Sequence, residues 1–332
     1  MRFPRSVLRR ALIALALTVL VGLAPASGAI PSAEAAAPRF GMAAHLMWQS
    51  LAETRVDLDR MKAAGMTYVR FDVSWKNSEP VKGSFRYLDK LDAVIAEVQK
   101  RGMTLTMTVI ETPGWANGGR DAFTPPKYSG DYGRFVGMLA KRYAARSGMV
   151  YEIWNEPNDQ HFWTPGPNVV KYTQLLKTAW TFIRRADPDA TVLAGSILYN
   201  DIKFLHGIYA NGGGSSFNGL AIHPYALGYA PGSTANSYFS FKLSVPRFTK
   251  EMANHGQAKP IWITEMGWSS DRVSDATRAT YFKQAVAIAK TWTNVRGMAA
   301  YTVRQSQFAQ YGLIRRDGTT TASWRAYDSV LP

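Results

Sequence analysis

Short apolar runs alternate with amphipathic stretches along the chain from residue 40 onward. Eight such runs occur, at residues 40–46, 67–73, 104–110, 150–153, 191–194, 219–222, 261–264 and 297–303. Apolar runs of this length, bounded by turn residues, are typical of strands that are buried on both faces. The pattern therefore predicts eight buried strands.

The segments between these runs carry apolar residues at a spacing close to 3.6. They predict helices at residues 51–64, 87–101, 132–146, 169–186, 201–210, 237–255 and 275–293. Gly65 and Gly102 follow the first two, and a glycine or proline just past a helix is the expected stop signal. Pro246 should start or kink the sixth helix, since proline interrupts a helix interior. After a turn at Asp317 and Gly318, a last helix should close the chain.

Strand and helix units of nearly uniform length indicate a single (β/α)8 barrel. A doubly wound open sheet is the alternative, but it usually has a glycine-rich phosphate-binding turn after its first strand. Residues 212–214 are all glycine, yet they lie far from that position. With no linker or internal repeat in view, we expect one barrel domain over residues 38–332.

The first 37 residues have the layout of a secretory signal peptide. Four arginines occur within residues 1–10, an apolar run covers residues 11–26, and small residues follow it. The apolar run is short for a transmembrane helix, and no second long one follows. We therefore expect a secreted protein without a stable membrane anchor. The chain contains no cysteine, which excludes disulfide bonds.

The chain is basic, with a formal net charge of +15, of which +12 falls after residue 37. Such a balance favours anionic surfaces or substrates, although a solvated basic exterior explains it more simply than a dedicated anion site. The cations are spread along the predicted helices rather than gathered in a dense tract. No nucleic-acid module is recognisable, so nucleic-acid binding is not expected.

Two glutamates stand where predicted strands end. Glu156 follows the fourth apolar run and Glu265 follows the seventh. Catalytic groups of such barrels stand at the carboxyl ends of strands, and the fourth and seventh strands face each other across the mouth. A pair of carboxyl groups can cleave a glycosidic bond, one as proton donor and the other as nucleophile or base. A structural ion pair at the barrel mouth is the alternative.

The segments around these glutamates resemble known signatures. Trp154-Asn155-Glu156-Pro157 and Thr264-Glu265-Met266-Gly267-Trp268 resemble the acid/base and nucleophile motifs of clan A glycoside hydrolases. With the flanking residues 151–153, the first segment is most similar to family 39 and its bacterial exopolysaccharide-hydrolase relatives, and next to family 5. The resemblance covers nearly all of residues 40–332.

This resemblance implies roles for individual residues. Glu156 would be the general acid/base and Glu265 the nucleophile of a retaining enzyme, and Asn155 would bind the sugar 2-hydroxyl. Arg70, inside the second strand, would keep the nucleophile ionised. Pairing of Arg70 with Asp72 or Glu152 is the alternative, because a charge inside a barrel needs a partner.

Further polar and aromatic residues fall at the same end of the barrel. By resemblance, His223 would bind the substrate or order the site, and the Tyr225 hydroxyl would donate to the nucleophile. His45, beside Trp48, could contact the same sugar. A plain packing role is the alternative for each of these residues.

Tryptophans lie at strand ends or just beyond them, where aromatic faces can stack on sugar rings. About half are expected to touch substrate, and the positions are Trp48, Trp75, Trp115, Trp154, Trp163 and Trp268. Of these, Trp48, Trp115 and Trp268 are the candidates for binding. Similar enzymes usually end the eighth strand in tryptophan, often followed by Arg-Asp. Here Tyr301 would serve as the platform, and Gln305 replaces the acid.

Together these features predict a secreted, monomeric, retaining glycoside hydrolase that acts on a polysaccharide or oligosaccharide. A bare barrel favours endo cleavage, and the basic charge makes an anionic polymer as plausible as a neutral β-glycan. A non-catalytic polysaccharide-binding barrel is the alternative. No cofactor is expected, and the five histidines show no metal-binding spacing such as HExxH.

Overall fold

The computed structural model describes residues 37–306 and 310–332 of the 332-residue chain. Within them, eight parallel strands pair in chain order and close into a barrel. The strands are β1 Arg39–Ala43, β2 Tyr68–Ser74, β3 Thr104–Ile110, β4 Met149–Ile153, β5 Thr191–Leu198, β6 Gly219–His223, β7 Ile261–Met266 and β8 Val295–Tyr301. The predicted fold class is therefore confirmed. The predicted signal peptide, apart from Ala37, lies outside the described residues.

Helices follow the strands and cover the barrel. They are α1 Leu51–Ala63, α2 Trp75–Ser78, α3 Leu88–Lys100, α4 Gly114–Asn117, α5 Ser129–Tyr143, α6 Val169–Ala186, α7 Ile202–Ala210, α8 Phe241–Asn254, α9 Asp275–Ala289 and α10 Ala322–Asp328. A 3₁₀ helix covers Leu46–Trp48. In the part of the chain that the structure describes, no helix combines the length and apolar character that crossing a bilayer requires.

Most predicted bounds agree with the structure, and the deviations have local causes. β1 ends at Ala43 rather than at residue 46, because the 3₁₀ helix begins at Leu46. The sixth predicted helix begins later than expected, after Ser240, whose side chain caps it by accepting from the Leu243 N–H group. Pro246 therefore lies inside α8 and does not start it.

Side chains alternate between the barrel interior and the surrounding helices along each strand. In β2, Val69, Phe71 and Val73 belong to the main hydrophobic core, whereas Tyr68 belongs to a separate interior cluster. Arg70, at the same parity as Tyr68, reaches carboxylates on β4 and β7 across the interior. Alternate residues of the strand therefore point to opposite faces, one packed against the helices and the other directed into the barrel interior, where the polar residues lie.

Large aromatic side chains fill the end of the barrel where the strands begin. Trp262 lies against Gly219, where an added Cβ would be only 2.3 Å from the indole ring. Tyr68 lies against Gly297 and hydrogen-bonds the Thr106 hydroxyl at 2.8 Å. These glycines leave the space that the rings occupy. The interior is therefore plugged at this end, and the polar residues lie toward the opposite mouth.

Candidate active site

A cavity of about 460 Å³ opens at the carboxyl ends of the strands. Its size lies within the range of sites that bury small ligands. It is lined by eight of the eleven residues that the sequence predicted for a site, namely His45, Trp48, Arg70, Asn155, Glu156, Tyr225, Glu265 and Tyr301. His223 lies fully buried against Glu156, and the other two lie elsewhere.

Glu156 is a buried carboxyl group just beyond β4. Its φ of 42° is left-handed, an unusual conformation for a residue with a side chain, and it turns the chain sharply after the strand. One carboxyl oxygen, Oε1, lies 2.6 Å from Nδ1 of His223. Burial, reinforced by the negative charge of Asp159, raises the pKa of Glu156 to about 8. Glu156 is therefore protonated at neutral pH.

Glu265 lies inside β7 and has the opposite surroundings. The Tyr225 hydroxyl donates to its Oε2 at 2.7 Å, and the Arg70 Nη1 lies 2.7 Å from its Oε1. Burial raises the pKa of Glu265 above its usual value, and the nearby Glu156 adds to this, whereas Arg70 and the Tyr225 hydrogen bond act to lower it. A guanidinium in direct contact favours the ionised form. The two glutamates thus differ in which protonation state their neighbours stabilise.

The two glutamates are close together. An oxygen of Glu156, an oxygen of Glu265 and a ring nitrogen of His223 all lie within 4.8 Å of one another. Retaining glycosidases hold their carboxyl groups ~5–5.5 Å apart, whereas inverting enzymes hold them ~6.5–9.5 Å apart to admit a water. The observed spacing matches the retaining arrangement.

Arg70 connects three acids of the site. Its guanidinium pairs with Asp72 at 2.8 Å, Glu152 at 3.2 Å and Glu265 at 2.7 Å, and it donates to Oδ1 of Asn155 at 2.6 Å. The sequence treated pairing with the nucleophile and pairing with the strand acids as alternatives, but the arginine makes all these contacts at once. Its planar group with five donors permits this, which a lysine could not match.

A hydrogen-bonded chain runs beneath the cavity and fixes the state of His223. The Thr264 hydroxyl donates to Glu152 at 2.6 Å and lies 3.0 Å from Nε2 of His223. Because its one proton goes to Glu152, the Thr264 oxygen must accept from Nε2–H. Burial lowers the pKa of His223 and favours the neutral ring. Its Nδ1 then carries the lone pair, which accepts from the protonated Glu156.

Asn155 is oriented by the same arginine. Since its Oδ1 accepts from Arg70, its Nδ2 group is directed away from the guanidinium, and the residue lines the cavity. The Ser196 hydroxyl lies 3.5 Å from the same Oδ1. The amide is therefore placed to donate to a bound hydroxyl group.

Aromatic rings form the other walls of the cavity. The rings of His45 and Trp48 stack at 4.6 Å, and the Tyr301 hydroxyl lies 3.1 Å from Nε2 of His45. Tyr225 and Tyr311 each contact Tyr301 edge-on, at 6.5 and 5.6 Å between centroids. Tyr301, at the end of β8, stands where similar enzymes place tryptophan.

Comparison with known proteins places the chain in a family. Residues 32–300 match the sequence profile of the family described as Cellulase (glycosyl hydrolase family 5). The chain belongs to glycosyl hydrolase family 5. This agrees with the clan A resemblance of the two glutamate motifs.

Individual relatives are more distant. A probable glucan 1,3-beta-glucosidase from Arthroderma benhamiae is 27% identical over 171 residues, which make up 48% of this chain and 40% of that protein. The match therefore spans two fifths of the length of this curated relative.

Solved structures share the fold. A family 39 glycoside hydrolase from Bacteroides cellulosilyticus WH2 superposes with a TM-score of 0.75 at 20% identity, over 90% of this chain and 64% of that chain. The GH5_18 structure from Streptomyces cattleya in complex with GlcNAc gives a TM-score of 0.67 at 18% identity, over 89% and 79% of the two chains. At these identities the likeness shows the barrel fold alone.

Two of the predicted sugar-binding tryptophans lie outside the cavity of this family 5 chain. The Trp115 indole N–H donates to the Glu79 carbonyl at 2.9 Å, and its ring packs edge-on against Trp75. Trp268 is 1% exposed and donates to the Tyr229 carbonyl at 2.9 Å. The prediction for Trp268 is corrected, because its indole is buried, and Trp115, which lies in α4 and is partly exposed, does not line the cavity either. Three further strand-end tryptophans are also buried, namely Trp75, Trp154 and Trp163.

Sequence reasoning missed several residues of the cavity wall. Glu111 and Tyr199 line the cavity, as do Asp159, Phe123 and Phe162. Glu111 directly follows β3 and Tyr199 directly follows β5. The rule that functional residues stand at the carboxyl ends of barrel strands, which identified Glu156 and Glu265, would therefore have identified these two as well. The last three stand further out on loops, where no local pattern marks them.

Two described clusters hold donor atoms close enough for a metal ion. One is Glu156, His223 and Glu265, and the other lies on the outer helices and consists of His206, Glu251 and His255. In the first cluster, the Arg70 guanidinium contacts Glu265, and a fixed positive charge opposes a divalent cation.

Proposed function

We propose that the protein is a retaining glycoside hydrolase, with Glu265 as nucleophile and Glu156 as acid/base. The close approach of the two carboxyl groups carries this proposal, because it fits the ~5–5.5 Å separation of retaining enzymes and not the ~6.5–9.5 Å separation of inverting ones. The direct contacts that Arg70 and Tyr225 make with Glu265 support it independently, because they favour the ionised form of that residue. The family and the relatives named above are consistent with this reaction class.

In the first step the Glu265 carboxylate attacks the anomeric carbon while Glu156 transfers its proton to the leaving oxygen. The C–O bond to the leaving group breaks and a glycosyl ester forms. The raised pKa of Glu156, about 8, supplies the proton at neutral pH. Arg70 and Tyr225 hold the attacking carboxylate in place and ionised.

In the second step water replaces the enzyme at the anomeric carbon. Esterification of Glu265 removes its negative charge, which lowers the pKa of Glu156 and favours the carboxylate. Glu156 then takes a proton from the incoming water, and Glu265 leaves as a carboxylate. Both residues return to their starting states, and the anomeric configuration is retained.

The cavity wall favours a neutral glycan over an anionic one. Asp72, Glu111, Asp159 and Glu265 contribute carboxylates, whereas Arg70 is the lone lysine or arginine among the lining residues. Arg70 is already paired with three carboxylates. A uronate at this position would meet uncompensated negative charge. The substrate we propose is therefore a neutral polysaccharide or oligosaccharide, despite the net charge of +15.

We further propose that the protein acts outside the cell as a monomer and cleaves within chains. The signal-peptide layout of residues 1–37 supports export. Product size distinguishes endo from exo cleavage, because endo cleavage of a polymer releases oligosaccharides of mixed length early in the reaction.

Proton NMR of the reaction with a panel of neutral β-glycans and aryl glycosides tests the reaction class. The first-formed product should keep the anomeric configuration of the substrate. Glu156→Ala should cripple cleavage of glycans, whose leaving groups need a proton, and should largely spare glycosyl transfer from an aryl glycoside with an acidic phenol. Azide should then give a glycosyl azide of retained configuration. An inverted first product would overturn the proposal.

A further inference from the structure

A second cavity of about 350 Å³ lies beside the catalytic one. Trp48 and Ser74 line both cavities, so the two adjoin along that wall. Its other lining residues include Asn77, Tyr87 and Lys90, which belong to the loops and helices that follow β2. A substrate longer than the catalytic cavity can therefore continue in this direction.

Two large aromatic rings stand exposed at this second cavity. Trp48 is 60% exposed and Tyr87 is 59% exposed, whereas Trp75 nearby is fully buried. One face of Trp48 stacks on His45 at 4.6 Å, which fixes its orientation. Rigid, partly exposed aromatic faces suit the apolar faces of sugar rings. The polar groups beside them suit the hydroxyl groups of the same rings.

Those polar groups are well placed. The Asn77 side chain is exposed at the cavity and offers both donors and an acceptor. Lys90 donates to the Met47 carbonyl at 2.9 Å, so it secures the 3₁₀ helix that carries Trp48. The second cavity thus combines aromatic rings for stacking, a side chain for hydrogen bonding and a backbone segment held in place by Lys90.

The backbone of Tyr87 gives an independent indication. Its φ of 61° is left-handed, which costs a residue with a side chain on the order of 1–3 kcal/mol. In residues 37–306 and 310–332, the non-glycine residues with positive φ are Tyr87, Glu111, Trp154, Glu156, Tyr199 and Leu227. Four of them line the catalytic cavity, and Trp154 precedes Asn155. Tyr87 is the member of this set that lines the second cavity.

We propose that this second cavity is a remote sugar-binding subsite, in which Tyr87 and Trp48 stack on a further sugar of the same glycan chain. The proposal rests on the function proposed above and specifies its substrate as a chain that fills both cavities. Binding at a remote subsite raises the rate of the chemical step when it is used to hold the reacting bond in place. Longer chains should therefore be cleaved with a higher kcat/KM.

The test measures kcat/KM on neutral β-linked oligosaccharides of increasing length and on an aryl monoglycoside. For the wild type, kcat/KM should rise with chain length and then level off. Tyr87→Gly removes the ring but suits a left-handed backbone, so the variant should fold. Its loss on the longest oligosaccharide should exceed its loss on the aryl glycoside by roughly tenfold.

Tyr128→Ala is the matched control. Like Tyr87, Tyr128 occupies the N-cap position of a helix and makes no capping hydrogen bond with its side chain. It is 63% exposed and lines neither cavity. This variant should keep the wild-type dependence on chain length. Asn77→Ala should show the same selective loss as Tyr87→Gly, to a smaller extent, without altering the Tyr87 backbone.

The outcomes separate the two proposals. Hydrolysis with retained configuration at a rate independent of chain length would overturn the subsite and leave the proposed function intact. Equal losses of Tyr87→Gly on long and short substrates would also overturn it. Failure to cleave any glycan or aryl glycoside would sink the proposed function, and the subsite with it.

Discussion

At the scale of single residues, one arginine sets the charge distribution of the site. Arg70 contacts Glu265 directly and reaches Glu152, which connects through Thr264 to His223 and so to Glu156. Glu156 and Glu265 are therefore joined by one buried network. Networks of this kind are stable when every member is satisfied and are sensitive to the loss of any one.

The dependence of activity on pH should report Glu156. As an acid it must be protonated, so kcat/KM, which reflects the free enzyme, should fall as pH rises through about 8. At low pH, kcat/KM should fall as Glu265 becomes protonated, because the nucleophile must be ionised. In Glu156→Ala, assayed with an acidic aryl glycoside, the high-pH limb should disappear. A high-pH limb unchanged in this variant would assign it to another group.

Substitution of Arg70 should affect both stability and activity. Arg70→Met leaves buried carboxylates without a partner and should cost about 3–5 kcal/mol in the free energy of unfolding. Arg70→Lys keeps the charge but cannot make all four contacts, so kcat should fall by about 10²–10³. Chemical denaturation and steady-state kinetics measure these effects.

Arg142→Met is the matched control for Arg70→Met. Arg142 pairs with Asp92 on the outer helices and is partly exposed, so its loss should cost less than about 1 kcal/mol. Equal losses in the free energy of unfolding for the two substitutions would mean that the buried network of Arg70 stabilises the fold no more than a surface ion pair does.

At the scale of elements, the loops after the strands are held by side chains that the sequence suggested for other tasks. Trp268 follows β7, yet it bonds the carbonyl of Tyr229, which lies in the loop between β6 and α8. That loop also carries Leu227, which lines the cavity. Trp268 therefore positions a cavity wall without touching the cavity.

Trp268→Phe should loosen that loop. Phenylalanine keeps the ring packing against Phe241 and Phe282 but loses the N–H donor, which leaves the Tyr229 carbonyl without this partner. Hydrogen exchange should quicken in the β6–α8 loop, and KM should rise more than kcat falls. Trp292→Phe is the control, because Trp292 packs on Phe241 with no such bond described, and it should leave the loop unchanged.

At the scale of the whole molecule, the chain is basic while its catalytic cavity is rich in carboxylates. We expect kcat/KM at low salt to be at least roughly tenfold lower on a β-glucuronide than on the matched neutral β-glucoside. Added salt should narrow this gap, because it screens the repulsion. A preference for the uronate would show that the basic exterior, rather than the cavity wall, governs substrate choice.

The barrel and the proximity of Glu156 and Glu265 could be predicted because both depend on local patterns. Apolar runs and their glycine stops mark the strands, and Glu156 and Glu265 stand directly at strand ends. The roles of Trp115 and Trp268 could not be predicted, since their hydrogen-bond acceptors lie 36 and 39 residues away in other loops. For the same reason the wall residues Phe123 and Asp159 had no local signal. Helices of four residues such as α2 and α4 are too short to show periodicity.

Trapping the covalent intermediate tests the central claim most directly. The enzyme is incubated with an activated 2-deoxy-2-fluoro glycoside of the sugar whose aryl glycoside it cleaves fastest, and peptides are then mapped by mass spectrometry. The account predicts one added glycosyl unit, located on Glu265, and no label in Glu265→Gln. A label on Glu156 or on any other residue would contradict it.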